Sequence, residues 1–198
     1  MAKNMLQIAQ SAIDQMPPAC RFSARDSQVI LAHQEFLLAL EPQLIKLFYD
    51  TLFEHPPTAA VFFEGERSAR ESTLSGWWQR TVTGPLDASY FAWMASVGLA
   101  HVFRGVGNPM MLGMTDLVRA FVAEQASRGP LSQTDAAALA EAFGRLAGTV
   151  GVVVSYGYDE SIRSALSLAR IRMLTESTRG EEPPKARESV EQPDLIDG

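Results

Sequence analysis

The last third of the chain carries one long helical pattern of apolar residues, and no other feature limits the fold as strongly. Apolar residues recur at intervals of three and four from Leu139 to Val153, and the spacing resumes from Ile162 to Met173. Such spacing places the apolar side chains along one face of a helix. A helix from Ser132 to Leu174 would be roughly 60 Å long, at about 1.5 Å per residue.

One part of this pattern conflicts with the helix when it is considered alone. The segment from Thr149 to Val154 is rich in valine, which is typical of a buried strand. The three-to-four spacing continues through the segment without a change of phase, so we assign it to the helix.

Proline, glycine and capping residues divide the rest of the chain into further helical segments. The pattern predicts helices from Asp26 to Glu41, from Pro42 to His55, from Arg67 to Val82, from Asp87 to beyond His101, and from Asn108 to Arg128. We expect Asp87, Asn108 and Ser132 to cap the N-termini of the last three helices. We find neither an internal repeat nor a second boundary in composition before Thr175. The sequence therefore predicts an all-α fold with one domain over residues 26–174, preceded by an N-terminal extension over residues 1–25.

The last 24 residues, 175–198, differ in composition from everything before them. They hold seven acidic and three basic residues, three prolines and few apolar side chains. Such a segment buries too little apolar surface to offset the entropy lost on ordering. We predict a disordered acidic tail.

Composition and motifs exclude several classes of function. A net charge of -6 gives no basic field for nucleic acid. The chain has no glycine-rich phosphate loop, no nucleophile elbow and no histidine pair at metal-ligand spacing. A single cysteine, Cys20, and an N-terminus without a continuous apolar core predict a cytoplasmic protein. The longest apolar stretches, such as Phe91 to Phe103, are shorter than the ~20 residues of a membrane helix, so we expect no membrane partner.

Three polar residues lie on the predicted inner faces of three different helices: Tyr49, Thr73 and His101. Taken singly, each has a structural explanation. An interior histidine commonly bonds backbone carbonyls, and an interior tyrosine does the same through its hydroxyl. Their joint placement is what favours a binding site.

Short segments around these residues resemble one family in order and spacing. His101 lies near a helix end in the segment Gly98 to Gly105, and Pro109 opens the next helix. Leu47 to Asp50 contains a Phe-Tyr pair, and Gly84 to Asp87 forms a turn before the helix that bears the histidine. This arrangement resembles the sensor globins, which include globin-coupled sensors, protoglobins and single-domain sensor globins.

The resemblance implies a globin fold of the sensor type, with an extra N-terminal helical segment and a long C-terminal helix. It implies one heme b with His101 as the iron ligand, and Tyr49 and Thr73 as hydrogen-bond donors to a bound gas. Arg80 and Arg104 are candidates for binding the heme propionates, although arginines at exposed helix ends are more often solvated. The residues expected to contact the cofactor are His101, Tyr49, Thr73, Phe48, Trp77, Met94, Val97 and Met114.

The function implied by the resemblance is reversible binding or sensing of dioxygen, with nitric oxide and carbon monoxide as other ligands. We expect the signal to pass to a separate protein, or the globin to act alone. Two alternatives stay open: a heme-dependent nitric oxide dioxygenase or peroxidase, and a heme-free interaction scaffold of globin fold. The small residues Gly144, Gly148 and Gly151 would let another helix approach, which predicts a homodimer through the last two helices.

Overall fold

A computed structural model of the protein describes the backbone of residues 3–179, and the side chains of residues 3–170 except 164 and 168. No strand occurs in this range, which confirms the predicted all-α fold, including the valine-rich segment. A 3₁₀ turn lies at Pro18–Cys20. The helices are α1 (Met5–Asp14), α2 (Ala24–Ala32), α3 (Gln34–Ala39), α4 (Glu41–Glu54), α5 (Pro56–Ala59), α6 (Arg67–Thr83), α7 (Ala88–Phe103), α8 (Asn108–Arg128) and α9 (Gln133–Arg179).

The chain divides into two compact units, Met1–Ile162 and Arg163–Gly198. The first unit contains the predicted N-terminal helical segment, α1, and the hydrophobic core. In the second unit the backbone of α9 continues to Arg179, beyond the domain end predicted at residue 174. The rest of the predicted tail lies outside the described residues, and the predicted domain boundaries stay a prediction.

The prediction of one helix from Asp26 to Glu41 is wrong in both its start and its continuity. In the structure the helical segment begins at Ala24, and it breaks at His33 into α2 and α3. Ser23 caps α2: its hydroxyl accepts from the Asp26 amide, and the Asp26 carboxylate accepts from the Ser23 amide. Asp26 is 1% exposed and also binds the guanidinium of Arg145 on α9. Burial alone would raise the pKa of Asp26, but the hydrogen bonds from Arg145 and Ser23 hold it below its ordinary value.

The ends of α7 follow from local sequence. As predicted, Asp87 is the N-cap, and its carboxylate accepts from the amides of Ser89 and Tyr90 at 2.9 and 3.1 Å. After the last turn, Gly105 has a φ of 72°, a left-handed conformation that ends the helix at low cost only for glycine.

The caps of the last two helices were predicted with mixed success. Ser132 caps α9 as predicted, since its hydroxyl accepts from the amide of Asp135 at 3.1 Å. Asn108 was predicted to cap α8, but the N-cap residue is Gly107. The Asn108 amide group instead donates to the hydroxyl of Ser155 at 3.0 Å and so connects α8 to α9.

By length and composition, α9 is the one helix in the described part of the chain that could cross a membrane, over Gln133–Ser167. This window is not an uninterrupted apolar run in the sequence. Of the apolar window, 56% is buried inside the protein. A mostly buried core helix of a soluble protein passes the same test.

The position of α7 depends on Gly98. A Cβ atom at this position would lie 2.9 Å from the carbonyl oxygen of Val154 and 3.2 Å from its Cα, so only glycine lets the backbones of α7 and α9 come this close. The N-terminal helix α1 also packs against α7. Since His101 lies three residues after Gly98, the same contact determines where this histidine stands.

We predict that Gly98→Ala lowers the free energy of unfolding by about 1–3 kcal/mol, because the added methyl group meets backbone that cannot rotate away. Gly76 is the matched control: it lies inside α6 with nothing within 4 Å of a built Cβ. Gly76→Ala should be stabilising by about 0.5–1 kcal/mol. Chemical denaturation of both variants measures the difference, and equal effects would contradict this role of Gly98.

Candidate functional site

An apolar cavity of about 340 Å³ lies among α4, α6, α7, α8 and α9. Its volume is within the range of sites for small molecules, about 300–1,000 Å³. All eight residues that the sequence analysis expected to contact a cofactor line this one cavity: Phe48, Tyr49, Thr73, Trp77, Met94, Val97, His101 and Met114. The structure therefore brings them together, while their individual roles stay predictions.

His101 lies in the last turn of α7 with its ring in the cavity wall. Its Nδ1 atom is buried and has no hydrogen-bond partner among the described residues. Burial, with a further contribution from the Arg104 guanidinium, holds the pKa of His101 below its ordinary value. The ring is therefore neutral at neutral pH, which is the form of imidazole that binds metals.

The two predicted donors, Tyr49 and Thr73, already make hydrogen bonds within the protein. The Tyr49 hydroxyl donates to the carbonyl of Arg70 at 2.6 Å, and the Thr73 hydroxyl donates to the carbonyl of Ala69 at 3.0 Å. Burial raises the pKa of Tyr49 to about 12, so the hydroxyl keeps its proton. Each hydroxyl has one hydrogen to donate, and must leave its carbonyl before it can bond a ligand.

The α6 face that meets the core differs from the predicted one. Thr73 is exposed as a residue, whereas Leu74, Trp78 and Thr81 are buried. Trp77 lines the cavity, and its indole N–H is buried without a hydrogen bond of ordinary geometry. The cavity wall thus contains two buried ring nitrogens that make no hydrogen bond of ordinary geometry with the described part of the protein, Trp77 Nε1 and His101 Nδ1.

Sequence reasoning missed Arg70 and Tyr90, which also line the cavity. Arg70 lies one helical turn before Thr73, so the helical spacing was a usable signal. The Tyr90 hydroxyl is buried and shares a hydrogen bond with Thr81 at 3.0 Å. Arg80, a candidate for the propionates, does not line the cavity, and its guanidinium stacks 4.1 Å from the centre of the Trp93 ring.

These features fit a flat, apolar cofactor held by one imidazole. The wall is mainly aromatic, aliphatic and methionine side chains, and its one histidine has an unpartnered nitrogen. Aromatic and methionine side chains adapt to the faces of a large ring. An all-helical fold with such a cavity beside a helix-terminal histidine is the arrangement found in globins.

Comparisons with known proteins agree with a globin fold. The profile of the Protoglobin family matches residues 9–149, and the chain belongs to this family. A globin family implies heme as the cofactor, and the predicted resemblance to sensor globins is confirmed. No curated protein matches the chain.

A solved sensor globin domain is similar in fold to this chain. The globin domain of the Geobacter sulfurreducens globin-coupled sensor shares 20% sequence identity, with a TM-score of 0.67, over 75% of this chain and 96% of that one. The ferric globin domain of Escherichia coli DosC shares 13% identity, with a TM-score of 0.49, over 78% of this chain and 98% of that one.

Proposed function

We propose that this protein binds one heme b through His101 and reversibly binds or senses dioxygen or another diatomic gas. The observation that carries the proposal is the buried Nδ1 atom of His101, which lies in the wall of an apolar cavity and has no hydrogen-bond partner among the described residues. Membership in a globin family supports heme as the group that fills the cavity. Heme bound through one histidine supplies an iron with an open coordination position for a gas.

Tyr49 and Thr73 are the proposed donors to the gas. Dioxygen gains partial negative charge on binding, so a hydroxyl hydrogen stabilises it more than it stabilises carbon monoxide. The net gain is reduced by the carbonyl bond that each hydroxyl gives up. We therefore expect a modest effect from either residue.

The partners follow from this activity. The direct ligand is a diatomic gas, and a separate signalling protein receives the change in state unless the globin acts alone. A cytoplasmic location is part of the proposal. It is supported by Cys20, an exposed free thiol of the kind that reducing compartments preserve.

We also propose a homodimer through α8 and α9. A surface groove of about 480 Å³ runs along these helices, and its floor includes Gly144 and Gly148, where a built Cβ meets nothing within 4 Å. Leu112 and Val152, which are 45% and 36% exposed, border the groove. A two-fold partner that inserts its own helices would bury these apolar side chains.

We predict that heme retention depends on His101. His101→Ala should lose most of its heme and the associated Soret absorbance, because the cavity wall has no second histidine among the described residues. His55→Ala is the matched control, since His55 caps the end of α4 and does not line the cavity. Loss of heme from His55→Ala together with an unchanged spectrum for His101→Ala would refute the assignment.

We predict that Tyr49→Phe speeds dioxygen release by up to about fivefold while carbon monoxide release changes little, since one neutral hydrogen bond is worth roughly 1 kcal/mol. Thr73→Val tests the second donor in the same way. Tyr158→Phe is the control, because the Tyr158 hydroxyl is buried away from the cavity. Stopped-flow measurement of the two release rates checks this prediction. Equal changes for both gases would contradict the role of Tyr49 as a hydrogen-bond donor to dioxygen.

We predict that the wild type sediments at twice its chain mass of 21.7 kDa at micromolar concentration. Leu112→Glu and Val152→Glu should dissociate it, because each places a charge on the proposed interface. Phe103→Glu changes an equally apolar, exposed residue at the end of α7, outside the groove, and should leave the dimer intact. A wild type that sediments as a monomer would contradict the proposed homodimer.

A further inference from the structure

Two arginines are the only permanently charged side chains in the cavity wall, among the residues that the structure describes. Arg70 lies near the start of α6, and Arg104 directly follows α7, so they reach the cavity from two helices. No described carboxylate lines the cavity. Two guanidinium groups in an otherwise apolar wall fit a ligand with a flat apolar body and carboxylates on its edge.

Both arginines are held by one carboxylate, that of Glu66. Its Oε2 atom accepts a hydrogen bond from Arg104 Nη2 at 2.8 Å and one from the Phe63 amide at 3.1 Å. Its Oε1 atom lies 2.7 Å from Arg70 Nε. The Glu66 side chain is 11% exposed and does not itself line the cavity. Glu66 therefore joins the start of α6 to the end of α7.

The two halves of this contact differ in quality. Arg104 makes a well-aligned hydrogen bond to Glu66, and this bond is the main reason why the pKa of Glu66 lies below its ordinary value. Arg70 Nε lies close to Glu66 Oε1 but makes no aligned hydrogen bond to it, so this ion pair rests on charge attraction alone. One carboxylate shared by two guanidinium groups leaves hydrogen-bonding capacity on both arginines.

We propose that Arg70 and Arg104 form a carboxylate-binding site at one end of the cavity, which Glu66 occupies as an internal carboxylate until the carboxylates of the ligand displace it. The identity of those carboxylates as heme propionates rests on the proposed function. A ligand with two carboxylates gives each arginine its own partner, whereas Glu66 must serve both. Glu66 thus competes with the ligand and lowers its affinity.

The test uses metal-free protoporphyrin IX and its dimethyl ester, which share one ring and differ in charge. Without iron, His101 contributes no metal bond, and quenching of Trp77 and Trp93 in the cavity wall reports binding. We expect the wild type to prefer the diacid by about tenfold or more. Arg70→Gln and Arg104→Gln should each remove most of this preference.

Two further variants separate the site from general effects of charge. Arg67→Gln is the matched control: Arg67 lies on the same helix and pairs with Asp50 and Glu71, but it does not line the cavity. It should keep the preference for the diacid. Glu66→Gln should bind the diacid several-fold more tightly with unchanged affinity for the ester, and a misfolded variant would not produce such a gain.

Three results would overturn the proposal: equal binding of diacid and ester by the wild type, Arg70→Gln and Arg104→Gln behaving like Arg67→Gln, or weaker diacid binding by Glu66→Gln. The proposed function fails separately. If hemin gives the same spectrum with the wild type and with His101→Ala, the iron-binding role is lost. The preference for the diacid is measured without iron, so its outcome does not depend on the iron-binding role of His101.

Discussion

The contact between Gly98 and Val154 determines how the site is built, because it sets the distance between α7 and α9. With no side chain at Gly98, the backbones approach until α9 itself becomes a wall of the cavity. His101 follows one turn later, and its depth in the protein is set by the same contact. A larger residue at Gly98 would push apart the two helices that contribute the histidine and the opposing apolar surface.

The chemistry of the cavity comes from a few polar atoms in an apolar wall. Burial lowers the pKa of His101 and raises that of Tyr49 to about 12, so both side chains in the cavity wall favour their uncharged forms near neutral pH. Among the described residues of the cavity wall, permanent charge is confined to Arg70 and Arg104, which share the single carboxylate of Glu66. This separation suits a ligand with an apolar body and a charged edge.

Sequence reasoning succeeded where the cause is local. Helical period depends on neighbours three and four residues apart, and the caps at Asp87 and Ser132 depend on one side chain and the next amides. The expected cofactor contacts line one cavity because inner faces of helices converge on the core. Asn108 was wrong as a cap because its partner, Ser155, lies on another helix.

The sequence by itself determined that the chain is all-helical, which family it resembles, and which histidine faces inward. Only the tertiary structure decided which arginine reaches the cavity and which hydroxyls are already bonded. A long side chain extends toward its partner, and for two arginines that partner lies on another helix: Glu66 for Arg104, and Trp93 for Arg80. Those partners are brought close by helix packing, which spacing along one helix does not encode.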